Sequence, residues 1–211
     1  MNFIDLHTHS MLSCGVDTQK RMLFHAKMLG VELGLCDGCS ASKRGKYLSG
    51  IEIRASDKSE LKNGLANSSG FDYVIVHGGN EHINRLAASD KRVDVLAHPE
   101  RGRKDAGVDT FIARQAQKNN VAIELNLRNL IFTRGNHRVN VIKNIKRQLL
   151  LSRKYRFDII VTSGARSRLE LRSGDGVSQL LKLLGFDESE AEAGMTTVPK
   201  SILERKKEGV I

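Results

Sequence analysis

Histidines and carboxylates stand in this chain at spacings that suit divalent-cation chemistry. The stretch Asp5-Leu6-His7-Thr8-His9 carries two imidazoles two residues apart. On an extended chain such a pair projects to one side and can share one metal ion. Glu52 in Gly50-Ile51-Glu52, His77 in Val76-His77-Gly78 and His98 in Ala97-His98-Pro99 follow further along, and could complete a shell of nitrogen and oxygen ligands. Asp37, in Cys36-Asp37-Gly38-Cys39, is a further candidate. A shell of this kind supports ester hydrolysis by metal-bound hydroxide. One histidine alone is more often a hydrogen-bonded core residue; recurrence at equivalent places is what carries weight.

Interleaved with these residues are cations of a different use. Arg54, Arg101, Arg103, Lys104, Arg128, Arg134, Arg138, Arg166, Arg168 and Arg172 each follow soon after a segment that reads as a strand. Guanidinium groups repel divalent cations and bind phosphate oxygens bidentately. The chain has 34 Lys and Arg against 24 Asp and Glu, a net charge of +10. Eleven of the basic residues and only two acids fall between Arg134 and Arg172, so nine of the ten excess charges are local. A concentrated excess is the footprint expected of a polyanion binder. With aromatic residues at 5% and no tryptophan, stacking on exposed rings is not the expected mode; recognition of a polyanion's backbone and shape is.

The elements that must position these groups alternate. Short β-branched runs cover 2–8, 31–37, 47–54, 72–78, 93–98, 121–126 and 158–163, nearly continuous in hydrophobicity as strands covered on both faces are. Helical patterns lie between them at 18–29, 109–118, 136–154 and 176–184, the first and last stopping at Gly30 and Gly185. Seven βα units with an uncertain eighth point to an α/β fold, a TIM-like barrel of seven to eight parallel strands, with 195–198 as the best candidate for a short last strand. In such barrels the working face is the rim where the strands end, which is where every candidate above falls. The 211 residues, with two prolines and no linker-like tract, read as one domain over 1–211.

The quoted motifs resemble the PHP phosphoesterase superfamily, whose members bind a metal cluster on a distorted barrel. Two departures stand out. The superfamily's second motif ends Asp-His, where this chain reads Asp37-Gly38; its last is Asp-x-His, where this chain reads Gly164-Ala165-Arg166. A second resemblance accounts for both. Ala97-His98-Pro99-Glu100-Arg101-Gly102-Arg103, Val121-Ala122-Ile123-Glu124-Leu125-Asn126-Leu127-Arg128, Arg153-Lys154-Tyr155 and Thr162-Ser163-Gly164-Ala165 are similar to the thirty-kilodalton subunit family of ribonuclease P, called protein component 3 in archaea. That likeness implies a PHP-like barrel acting inside the complex that removes the 5′ leader of precursor transfer RNA, with cleavage by the RNA component. It implies no catalytic residue and no cofactor bound directly, Mg2+ acting on the RNA. Expected partners are ribonuclease P RNA, the small ferredoxin-like protein component 2 and the other protein subunits, with precursor transfer RNA contacted indirectly. On this reading His7, His9, Asp37, Glu52, His77 and His98 are vestiges of a metal site, and the alternative is a metal-dependent PHP-type phosphoesterase.

Other features take simpler readings. The C-x-x-C of Cys36 and Cys39 sits in a glycine-containing loop rather than at a helix start, so buried or incidental thiols are expected. Gly78-Gly79-Asn80 lacks the G-K-[ST] ending of a phosphate loop and reads as turn chemistry. Three cysteines, an odd number, and no visible signal peptide point to the cytoplasm. No apolar run approaches the ~18 residues of a membrane span, and the basic stretch 147–156 lacks exposed aromatic anchors, so no membrane partner is expected.

Overall fold

The computed structural model describes residues 2–38 and 47–207. Seven strands form one sheet in sequence order: β1 (Phe3–Thr8), β2 (Val31–Leu35), β3 (Leu48–Ile53), β4 (Tyr73–His77), β5 (Val95–Ala97), β6 (Ala122–Asn126) and β7 (Ile159–Thr162). All six neighbouring pairs are parallel. Parallel neighbours need long crossovers, usually helical. Five of the six are α1 (Gln19–Met28), α2 (Lys58–Ala66), α3 (Glu81–Ala88), α4 (Thr110–Asn119), and the pair α5 (Leu127–Phe132) and α6 (Gly135–Tyr155); the connection from β2 to β3 passes through residues outside those described. After β7 the chain continues through α7 (Gly174–Leu184) and α8 (Glu188–Glu192).

Caps place the helices where the sequence pattern puts them, and start others that periodicity did not single out, α2 and α3 among them. Thr18 accepts from the Arg21 amide to start α1. Asp57 accepts from the amides of Ser59 and Glu60 to start α2, and Asn80 from those of His82 and Ile83 to start α3. Each satisfies amides that have no partner inside the helix. Gly78-Gly79-Asn80 is therefore the turn into a helix.

The eighth strand expected at 195–198 does not form. Ala193–Thr197 is a π-helical turn that runs into α9 (Val198–Lys207). Val198, Ile202 and Leu203 recur at helical spacing and are buried in the barrel lumen with Ile4, Leu6, Tyr73, Ile75, Val95, Ala122 and Ile160. Hydrogen bonds from Thr196 Oγ1 to the Asn2 carbonyl and from Arg205 to the Asn120 carbonyl tie this segment to the starts of β1 and β6. A helix thus closes the end of the barrel where the strands begin. Among the described residues no ladder joins β1 to β7. Instead the π turn packs against both strands, and the seam is bridged at the other end by His9 N–H to the Ala165 carbonyl (2.8 Å) and Ser163 N–H to Asp5 Oδ1 (3.1 Å).

Tyr73 fills the middle of the lumen, fully buried. It fits because β2 and the adjacent β3 carry glycine: a Cβ on Gly34 would stand 2.3 Å from its hydroxyl and one on Gly50 2.2 Å from its ring. Cys36 Sγ lies 3.6 Å from the Tyr73 hydroxyl and 3.3 Å from the Leu6 carbonyl. Burial pushes its thiol well above the usual range, so Cys36 packs as a small apolar group. Cys39 and the rest of 39–46 lie outside the described residues. Among those described, no helix is long and apolar enough to cross a membrane.

Candidate functional site

Because all strands run the same way, their C-terminal ends gather at one rim. His7 on β1, Glu52 on β3, His77 on β4 and Glu124 on β6 point into that rim, joined by His9 and His98 just beyond β1 and β5. The rings of His7 and His9 are 5.1 Å apart, those of His7 and His98 5.3 Å, and those of His77 and His98 4.9 Å. His98 adopts a left-handed backbone with φ of 48°, uncommon for a residue with a side chain and frequent at functional sites.

Two buried carboxylates organise the imidazoles. Glu124 Oε1 is 2.5 Å from His7 Nδ1 and accepts from Thr162 Oγ1 at 2.6 Å, while its Oε2 accepts the His98 amide at 3.1 Å. Glu52 Oε1 is 2.6 Å from His77 Nδ1, and its Oε2 accepts Arg54 Nη2 at 2.8 Å. Burial works against both carboxylates, yet the facing histidines hold Glu124 and Glu52 well below the usual carboxylate range. Burial also opposes the His7 imidazolium, but Glu124 and Glu52 outweigh it and carry its pKa up to about 10. His98 and His9 have no such sandwich; burial pushes each down to about 4, with His7 adding to the effect. One cation is thus sandwiched between two anions, flanked by neutral rings.

Three triads have ligand atoms mutually within 4.8 Å: His7, His98 and Glu124; His7, His9 and Glu52; Glu52, His77 and His98. Glu124 is the member that sequence reading did not single out as a ligand; its place in Glu124-Leu125-Asn126 at a strand end was the available signal. Asp37 is not among them. It binds the Ser10 amide and hydroxyl, Ser13 and Gln19, and so holds the loop after β1. The donor set suits one divalent ion, but not the superfamily's cluster. Arg101 Nη1 lies 3.1 Å from His77 Nε2, and Arg54 occupies one oxygen of Glu52. At Gly164, φ is +61° and an added Cβ would fall 2.4 Å from Asn126 Oδ1, so the superfamily's last-motif aspartate has no room there.

The arginines divide. Arg54, Arg101, Arg103, Arg128 and Arg166 line an open cavity of about 420 Å³ above the histidines. Of these, Arg103 pairs with Asp105, and Arg128 pairs with Glu170 while stacking on Phe132 at 4.4 Å. The Arg166 amide binds Glu170, whereas its guanidinium has no hydrogen-bond partner among the described residues. The remaining candidates lie off the cavity. Arg168 pairs with the buried Asp17 at 2.5 Å, Arg172 holds the carbonyls of Leu169 and Leu171, and Arg138 holds that of Ile131. Lys104 and Arg134 are exposed. Nor, among the described residues, do arginines pair with Glu100 or Glu124: Glu100 accepts from Asn129 at 2.8 Å, and burial pushes its pKa up to about 7. The cavity wall also includes Asn129, His137, Asn140 and Asn144, absent from the expected site. Lys143, Lys146 and Arg147 lie exposed along α6, since Ile145 and Leu149 turn its other face to the core.

The chain matches a family model described as RNase P subunit p30 over residues 8–208. Ribonuclease P protein component 3 of Methanosarcina barkeri is 38% identical over 162 residues, 76% of this chain and 67% of that protein. The same component of Methanothermobacter thermautotrophicus is 37% identical over 156 residues, 74% of this chain and 64% of that one. For Methanococcoides burtonii the alignment spans 217 residues at 33% identity, 98% of this chain and 89% of the relative. Two of these three alignments thus span about two thirds of the relative. A chain in the cryo-EM structure of archaeal ribonuclease P with mature tRNA has a TM-score of 0.74 at 20% identity, covering 99% of this chain and 92% of that one. It shares the fold.

Proposed function

This chain belongs to the RNase P subunit p30 family, and from that membership we propose that it is the subunit that grips ribonuclease P RNA through its basic rim and α6, supporting removal of the 5′ leader from precursor transfer RNA without cleaving it itself. The observation that supports this reading is guanidinium set against the candidate ligands: Arg101 on His77 and Arg54 on Glu52, with Arg166 in the sequence where the resemblance would place Asp-x-His. Phosphate oxygens suit these groups, and each contact releases counterions. On this reading Mg2+ serves the RNA component, the chain acts as one domain in the cytoplasm, and protein component 2 and the other subunits share the RNA contacts. Mobility shift of ribonuclease P RNA over a salt series, with and without protein component 2, tests it. A steep loss of affinity with salt that flattens on charge reversal at Arg101, Arg166 and Arg147 is expected; an unchanged slope overturns it.

A second reading, metal-dependent phosphoester hydrolysis, is favoured by one observation, the three His/Glu triads. Stoichiometric zinc or manganese in purified protein, with hydrolysis lost in His7→Ala, would support it over the first.

A further inference from the structure

The cavity is far larger than a phosphate needs. Its volume of about 420 Å³ lies in the ~300–1,000 Å³ range of sites that enclose small molecules. Its lining is uneven. Part of it is guanidinium, from Arg54, Arg101 and Arg166; another part is a stripe of α6 comprising His137, Asn140, Val141 and Asn144. Those four recur at i, i+3, i+4 and i+7, one face of the helix. On a helix packed over a barrel such a face is ordinarily apolar, as it becomes further along α6 at Ile145 and Leu149. Here it is polar. The side chains of Asn140, exposed, and Asn144, half-buried, make no hydrogen bond among the described residues. A carboxamide presents a donor and an acceptor side by side, the pattern that matches the edge of a nucleobase.

We infer that the barrel mouth receives a single unstacked nucleotide of an RNA chain, its base edge against Asn140 and Asn144 and its phosphate on Arg166. This rests on the RNA-binding reading above and specifies what the cavity does within it. Val141 offers the apolar contact and His137 a flat ring beside the base, the elements by which single-stranded RNA is read when its bases are splayed out. Among the described residues the Arg166 guanidinium has no partner of its own, so engaging a phosphate breaks no existing ion pair there. His7, His9, Glu52, His77 and His98 also line the pocket. RNA recognition through this pocket is then local and base-dependent, whereas recognition through α6 is diffuse and backbone-dependent.

Titration of the full chain with the four nucleoside 5′-monophosphates, the matching nucleosides and inorganic phosphate, followed by calorimetry and amide chemical shifts, tests this. At least one nucleotide is expected to bind about tenfold more tightly than inorganic phosphate, the scale of one good base-edge pair. Arg166→Gln should weaken nucleotide and phosphate alike. Asn140→Ala combined with Asn144→Ala should weaken the nucleotide by a similar factor and leave phosphate unchanged. Equal affinity for nucleotides and phosphate in the wild type overturns the inference, as does undiminished nucleotide binding in the double asparagine variant. Mobility shift on ribonuclease P RNA separates the two levels. RNA binding retained without nucleotide discrimination sinks the pocket alone, while loss of salt-dependent RNA binding sinks the reading beneath it.

Discussion

The guanidinium of Arg101 stands 3.1 Å from Nε2 of His77, whose Nδ1 lies 2.6 Å from Oε1 of Glu52. The ring therefore donates its proton to the carboxylate and accepts from the arginine on its lone pair, leaving none for a metal ion. Arg101→Ala frees that lone pair and removes a nearby positive charge. Zinc affinity is expected to rise on the order of tenfold, in line with the reach of outer-shell groups on metal sites. Equilibrium dialysis of wild type and variant checks it; equal zinc uptake would show that the guanidinium is not what disfavours the cation.

Asp5 is fully buried, and burial pushes its carboxyl from 3.8 up to about 6, hydrogen bonds from Ser163 and the His7 amide offsetting part of that. Among the described residues its Oδ2 has no hydrogen-bond partner. A carboxyl whose folded pKa is raised costs stability as pH climbs from the unfolded value to the folded one. Asp5→Asn should thus be more stable than wild type by up to about 3 kcal/mol above pH 6, roughly two pKa units at 1.36 kcal/mol each. The gap should close below pH 4. Urea denaturation at pH 4 and pH 7 reads the difference directly, and an equal gap at both values would remove burial of the charge as its cause.

Gly50→Ala drives a methyl group into the Tyr73 ring, since a Cβ at that position would stand 2.2 Å from it. Tyr73 is held on every side by the lumen and has little room to move. Overpacking of this kind costs about 1–3 kcal/mol. A Tm several degrees below wild type is expected, partly restored when Tyr73→Leu is added. No restoration would place the strain elsewhere.

Arg168 and Arg147 should part company despite equal charge. Arg168 is tied to Asp17, itself nearly buried and bound also by Ser167 and the Arg168 amide. Arg168→Ala is expected to lower stability by about 1 kcal/mol, a surface-discounted value, with a small effect on RNA. Arg147→Ala should leave stability within about 0.5 kcal/mol and reduce the salt slope of RNA binding by about one. Thermal melts and the salt series on both variants distinguish them.

Ile202 of α9 is wholly buried in the lumen. Ile202→Ala should cost about 2–5 kcal/mol while leaving the rim at the opposite end unchanged. A loss within that range would support a helix, in place of an eighth strand, as the stopper of the barrel; a loss near zero would argue against it.

What the amino-acid order determined by itself was the local and the periodic. Seven β-branched runs, the helical patterns at 18–29, 109–118, 136–154 and 176–184, and the gathering of Asp5-Leu6-His7-Thr8-His9, Glu52, His77 and His98 at strand ends were legible, because parallel strands force their ends to one side. The concentration of charge between Arg134 and Arg172 was legible too, since charge is counted without coordinates. Partner choice was not. Glu124 joined His7 across 117 positions in sequence, Arg168 was claimed by Asp17 across 151, and Asp37 turned to Ser10 rather than to the histidines. Such pairings depend on which ends of which strands meet and on what burial costs each charge. No periodicity records either. The same holds at 193–203, where a short apolar run fits strand or helix alike, and only the unfilled end of the barrel selected the helix.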